Sequence, residues 1–279
     1  MAPETQKFDG YPNYETLKVE YKHEFVLNVQ LNRVQKLNAF TDKTFTELGD
    51  VFRRVANDGS TRVVVVTSNA KVFTAGLDLN AQGGGFSLTN EDPARRALQI
   101  IRGAARWQEP FNLIEDCGKP VIGACIGAGL DFISACDVRF CSKDAFFSIK
   151  EVDIGIAADV GTLQRLPKIL GNDSLVRELA LSARNFTAQE ADKAGLVSKV
   201  LDTKEECWNA AFSLGQLIAA KSPVAVLSTK FNLNYSRDHT VGDGLRFAGV
   251  WNSAFIQTAD TKEAIGSFLQ KRKPKFEKL

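Results

Sequence analysis

Apolar positions run or alternate over strand lengths in residues 17–21 and 25–31, with Lys22, His23 and Glu24 between them, which predicts a hairpin. The period then changes. Thr41 is a good N-cap, and Phe45, Leu48, Val51, Phe52 and Val55 recur at helical spacing until the chain reaches Asn57 and Gly59. Residues 63–67, VVVVT, carry no polar alternation, the pattern of a strand covered on both faces. Residues 69–90 read as a long loop containing Gly76 and the triplet 83–85, and a helix is predicted over 93–114. A second buried strand follows at 120–126, after which Gly127, Gly129 and Asp131 open a short helix. Residues 138–141 and 145–149 read as two more strands. Thr187 and Glu190 form a capping box for a helix stopped by Gly195.

From residue 202 onward only helical patterns remain. Cys207, Ala211, Leu214 and Ile218 make one apolar stripe, and Ser222 with Pro223 is an N-cap followed by a first-turn proline. The predicted organisation is an α/β core over 1–200 and a C-terminal helical region over 201–279, packed on the core or on a neighbour.

Composition narrows the chemistry. Thirty-five Lys and Arg against 33 Asp and Glu leave a formal charge of +2, so no general nucleic-acid affinity is expected. The most apolar stretch, 121–135, is too short for a span and is broken by Asp131. The five cysteines lack CxxC spacing and sit mostly in apolar sequence, which suggests reduced core thiols in a reducing compartment. The residues MAPETQKFDGYPNYE show neither a signal core nor a basic presequence. The two histidines, His23 and His239, have no partner at ligand spacing, so no metal site and no histidine triad is expected. Carboxylates and backbone amides are left to do the work.

Three acids stand in apolar sequence. Asp131 interrupts GACIGAGLDFISAC, Glu151 ends AFFSIKE, and Asp159 follows IGIAA. A carboxylate there is costly unless it caps a helix, is paired, or holds a proton. Asp131 and Asp159 are acceptable N-caps, and Glu151 is acceptable as a solvated strand end or as a partner of Lys150. The alternative is that the acids share one apolar pocket, where desolvation and repulsion split their proton affinities and equip them to move a proton along a substrate. Two glycine turns, at Gly76 and at Gly127 with Gly129, place the N–H groups of Leu77 and Ala128 where both can point at one anionic oxygen. The triplet 83–85 lacks the GxGxxG order of a dinucleotide loop, which makes a nucleotide-dependent oxidoreductase a distant alternative.

The runs VQLNRVQKLNAF (29–40), KVFTAGLDL (71–79), 119–172 and TAQEADKAGLVSKV (187–200), with KRKPKF near the end, resemble the crotonase superfamily of enoyl-CoA hydratases and isomerases. Within it the chain is most similar to the Δ3,5-Δ2,4-dienoyl-CoA isomerases, because Asp131, Glu151 and Asp159 match that group's three acids. The resemblance implies a spiral ββα core and an acyl-CoA thioester substrate of fatty-acid β-oxidation, with coenzyme A part of that substrate and no cofactor. It also implies a homotrimer or homohexamer. Glu151 and Asp159 are expected to transfer protons, Asp131 to orient or polarise, Leu77 and Ala128 to hold the thioester oxygen, and Lys271 or Lys273 to contact the CoA phosphates. The segment 120–131 is a few residues shorter than the family's, and Val34 stands where a proline is common. An enoyl-CoA hydratase or simple isomerase, or a silent acyl-CoA-binding scaffold, are the alternatives. The ending Glu277, Lys278, Leu279 is close to a peroxisomal address, so a peroxisomal location is expected, with mitochondrial or cytoplasmic as alternatives.

Overall fold

The computed structural model describes residues 9–80, 92–125 and 129–279. In chain order the elements are β1 (Leu17–His23), β2 (Val26–Leu31), α1 (Asp42–Asn57), β3 (Val63–Ser68), α2 (Pro93–Asp116), β4 (Val121–Cys125), α3 (Leu130–Ala135), β5 (Val138–Ser142) and β6 (Phe146–Phe147). Then come α4 (Thr162–Leu170), α5 (Asp173–Ser182), β7 (Phe186–Thr187), α6 (Ala188–Lys193), β8 (Lys199–Leu201), α7 (Lys204–Ala219), α8 (Pro223–Arg237), α9 (Val241–Phe255) and α10 (Ala259–Leu269).

The main sheet has the order β1-β2-β3-β4-β5-β8. β1 and β2 form the antiparallel hairpin, with Leu17 opposite Leu31, and every later pairing is parallel. Alternation along β3 explains its uninterrupted apolar run. Val64 and Val66 join the larger core with α1 and α2, whereas Val63 and Val65 join a second core against Cys207 and Ala211 of α7. Both faces of residues 63–66 are therefore dry, and none of these four positions tolerates a polar side chain cheaply. After β8 only helices follow, and α7, the first of them, seals one face of the sheet.

Caps close the helices where the residue types predict. Thr41 and Thr187 each complete a capping box, and Ser222 accepts from the Ala225 N–H. A buried ammonium anchors α8: Lys230 Nζ donates to Ile114 O at 2.7 Å, Lys119 O at 2.9 Å and Asp137 Oδ2 at 2.9 Å. Three acceptors offset the desolvation of the charge. The strand expected over 145–149 is shorter. Phe146 and Phe147 pair only with Thr187 and Phe186, so the ladder ends there and the chain turns into a short 3-10 segment, Glu151–Ile154. All five cysteines are buried and none forms a disulfide.

Candidate active site

Parallel strands release their loops at one edge of the sheet, and a site assembled there collects residues distant in sequence. After β3 the chain forms the loop that carries Thr74 to Leu77, and this loop pairs with Phe40. Phe40 N donates to Gly76 O at 2.7 Å and Asp78 N donates to Phe40 O at 2.9 Å. In such a parallel bridge the flanking residues make the bonds, which directs the Leu77 N–H to the opposite side, and Leu77 lines the cavity described below. Asn38 pins this loop with a left-handed φ of 54°. Its amide donates to Ser68 Oγ and Phe73 O, and its carbonyl accepts from Thr74 Oγ1 at 2.7 Å. Thr74 Oγ1 in turn accepts from Gly76 N at 3.1 Å.

The loop after β4 enters α3 through Gly129 at φ 87°. A Cβ there would lie 2.7 Å from Thr74 Cγ2, so the two glycine turns abut and only glycine fits between them. α3 then presents Asp131 and Phe132. Gly127 and Ala128, the latter an expected oxyanion donor, lie outside the described residues, as does the triplet 83–85.

A cavity of about 230 Å³ lies between these loops. Asp131, Glu151 and Asp159 all line it, and so do Gly76 and Leu77. Phe40, Phe45, Trp107, Phe111 and Phe132 make an aromatic floor, in which Trp107 stacks on Phe45 and donates its Nε1–H to Asp42 Oδ1 at 2.8 Å. The floor excludes water and strengthens the fields of the acids above it.

The acids are held differently. Asp131 Oδ1 accepts the Thr162 N–H at 2.8 Å and the Thr162 hydroxyl at 2.7 Å. Burial pushes the Asp131 carboxyl above its ordinary value, and the Thr162 hydrogen bonds and the Arg165 charge oppose that push. Glu151 is also raised, first by burial and then by the negative charge of Asp131. Its Oε2 is buried and has no hydrogen-bond partner among the described residues. Asp159 is exposed at the rim, shared with a polar cleft lined by Gln108, Arg165, Lys168 and Arg237. Gln108 holds the Asp159 carbonyl at 2.6 Å.

These contacts correct the simpler readings of the acids. Asp131 is not the N-cap of its own helix, which begins at Gly129, but serves the first residue of α4. Asp159 is not a cap, because Gly161 occupies that position. Glu151 buries its Oε2 and is not paired with Lys150, whose Nζ donates to Ala183 O and lies beside Asp153. Lys271 and Lys273 lie on the exposed tail after α10 and do not line the cavity. Sequence reading missed Thr162, Asn38 and the aromatic floor. Only the VQLNRVQKLNAF run hinted at Asn38, and nothing local singles out Thr162.

The profile of the enoyl-CoA hydratase/isomerase family matches residues 21–278. The chain is 46% identical over 275 residues to the mouse protein named mitochondrial Δ(3,5)-Δ(2,4)-dienoyl-CoA isomerase, covering 96% of this chain and 84% of that one. It is 42% identical to the Arabidopsis thaliana peroxisomal protein of that name, covering 96% and 99%. The solved enoyl-CoA hydratase of Bacillus anthracis superposes with a TM-score of 0.85 at 26% identity, covering 94% of this chain and 99% of that one.

Proposed function

The chain belongs to the enoyl-CoA hydratase/isomerase family, and from that premise we propose that it converts a 3,5-dienoyl-CoA to the 2,4-dienoyl-CoA. The observation that carries this reading is that Asp131, Glu151 and Asp159 line one aromatic-floored cavity together with Leu77. Glu151 takes a proton from C2, and the electron pair of the broken C–H bond spreads through the diene onto the thioester oxygen. The Leu77 N–H, with that of Ala128, stabilises this oxyanion. Asp159 then delivers a proton to C6, the charge on oxygen collapses, and the double bonds stand at 2 and 4. Asp131 orients the pair. No cofactor takes part, and coenzyme A arrives with the substrate.

Conversion of a 3,5-dienoyl-CoA, followed as the ultraviolet band of the diene conjugated to the thioester, tests the reading. Turnover of 2-enoyl-CoA by hydration, with none of the dienoyl substrate, would replace it by a hydratase. CoA binding without turnover of either would leave a scaffold.

Assembly follows from the surface of the C-terminal helices. Val241 is 81% exposed and Phe268 82%, with Leu245, Val250, Ile265 and Leu269 also exposed, more apolar area than a lone subunit keeps. Other copies of the chain cover it, giving a homotrimer or homohexamer, in which Lys271 and Lys273 reach CoA phosphates across a subunit boundary. Light scattering on the eluted protein gives a mass three or six times 30.6 kDa if this holds. No single helix among the described residues is long and apolar enough to cross a membrane. Peroxisomal location rests on the Glu277, Lys278, Leu279 ending; a fluorescent fusion that stays out of peroxisomes with Leu279 intact removes it.

A further inference from the structure

Two carboxyl groups on one cavity do not both ionise easily, so ionising both needs donors from outside the pair. In this protein those donors reach Asp131 from another helix. Thr162 opens α4, and both of its donors converge on a single oxygen, Asp131 Oδ1. Thr162 is itself buried, so water does not compete for these bonds. By contrast, Glu151 Oε2 is buried with no hydrogen-bond partner among the described residues. One oxygen of Asp131 thus receives two protein donors where the buried Glu151 oxygen receives none of them. The loop from Asp159 to Thr162 also links the third acid to the same anchor: Asp159 lies three residues before Thr162, and its carbonyl is held by Gln108.

We propose that Thr162 is a positioning residue, whose hydroxyl and N–H keep Asp131 ionised beside the Glu151 carboxylate, so that the Asp131 charge sets how tightly Glu151 holds the proton it takes from C2. The proposal deepens the isomerase reading and rests on it for the catalytic consequence. The charged and titratable groups around Asp131 are Glu151, Asp159 and Lys150 on the cavity wall and Arg165 from α4. With Asp131 negative, Glu151 binds its proton more tightly than burial alone would dictate, which makes it a stronger base toward C2. Asp131 never exchanges a proton with substrate in this scheme.

Thr162→Val keeps the backbone N–H and the side-chain volume but removes the hydroxyl. Losing one of the two Thr162 hydrogen bonds raises the pH at which Asp131 takes up a proton. A protonated Asp131 no longer repels the Glu151 carboxylate, so the acidic limb of the kcat/KM profile moves to lower pH. The weaker base lowers kcat by about tenfold while KM stays within roughly twofold. Thr162→Ser restores the hydroxyl and returns both the limb and kcat to wild type. Asp131→Asn, whose amide oxygen still accepts from Thr162, shifts the limb in the same direction as Thr162→Val. If Thr162→Val does not fold, these two variants carry the test.

A limb that stays in place in Thr162→Val or Asp131→Asn overturns the proposal, as does a Thr162→Ser enzyme with displaced pH dependence. Should the wild type fail to turn over dienoyl-CoA, the isomerase reading falls separately. Infrared titration of the substrate-free protein then still decides about Thr162. The protonated-carboxyl band absent from Asp131→Asn must appear at higher pH in Thr162→Val than in wild type, and coincident titrations refute the assignment.

Discussion

Gly129→Ala is the most informative single change, because its cost follows from geometry alone. Gly129 has φ 87° and ψ 37°, a left-handed conformation that costs a residue with a Cβ about 1–2 kcal/mol. The new methyl would also lie 2.7 Å from Thr74 Cγ2 and 3.1 Å from Phe73 Cδ1. Phe73 is fully buried and Thr74 is held through Asn38, so neither side chain has free space to yield, and overpacking of this kind costs about 1–3 kcal/mol more. The expected destabilisation is the sum, about 2–5 kcal/mol, read as a shift in the urea midpoint at constant slope. Activity should fall further than stability predicts. Displacing Thr74 loosens the Gly76 N–H it accepts and so moves Leu77, where a misplacement on the order of 1 Å costs about a hundredfold in rate. A Gly129→Ala protein within about 0.5 kcal/mol of wild type and equally active would refute the claim that the two glycine turns are in contact.

Glu151→Gln should lose about 10²- to 10⁴-fold in kcat. It should also gain stability: the folded Glu151 value is raised, so the wild type loses stability as pH climbs from the ordinary carboxylate value through the raised one, and the variant does not. Unfolding curves of the two proteins should converge below about pH 4 and separate toward neutrality, and parallel curves would count against the burial argument. Lys230→Met removes the ammonium from Ile114 O, Lys119 O and Asp137 and should cost about 3–5 kcal/mol by denaturant titration. The buried thiols of Cys136, Cys141 and Cys207 are each pushed up to about 12. A thiol reagent at neutral pH should therefore leave the native protein unlabelled at these positions and label all five cysteines after denaturation.

The strands and helices were legible where period and cap agree. Thr41 before a helical stripe, the Thr187 and Glu190 box, and VVVVT each carry a local signal that packing had no reason to override. The strand predicted over 145–149 exceeded the ladder formed because strand length is set by the partner, and β7 offers two residues. The acids were visible as candidates because a charge in apolar sequence is costly. Their separate fates were not. Asp131 and Glu151 both stand in apolar sequence, yet one oxygen of the first receives two donors from a residue 31 positions away and Oε2 of the second receives none among the described residues.

The sequence by itself determined the opening hairpin, α1, the buried strands within 63–67 and 120–126 and the short list of three carboxylates, because hydrophobic period, capping chemistry and desolvation cost act over a few neighbouring residues. Only the tertiary structure decided that the loops after β3 and β4 abut at Gly129, that Leu77 is turned toward the cavity by its bridge to Phe40, and that α4 brings Thr162 to Asp131. Those facts depend on distances between segments far apart in the chain, and the proton affinities of Asp131 and Glu151 depend on those distances in turn.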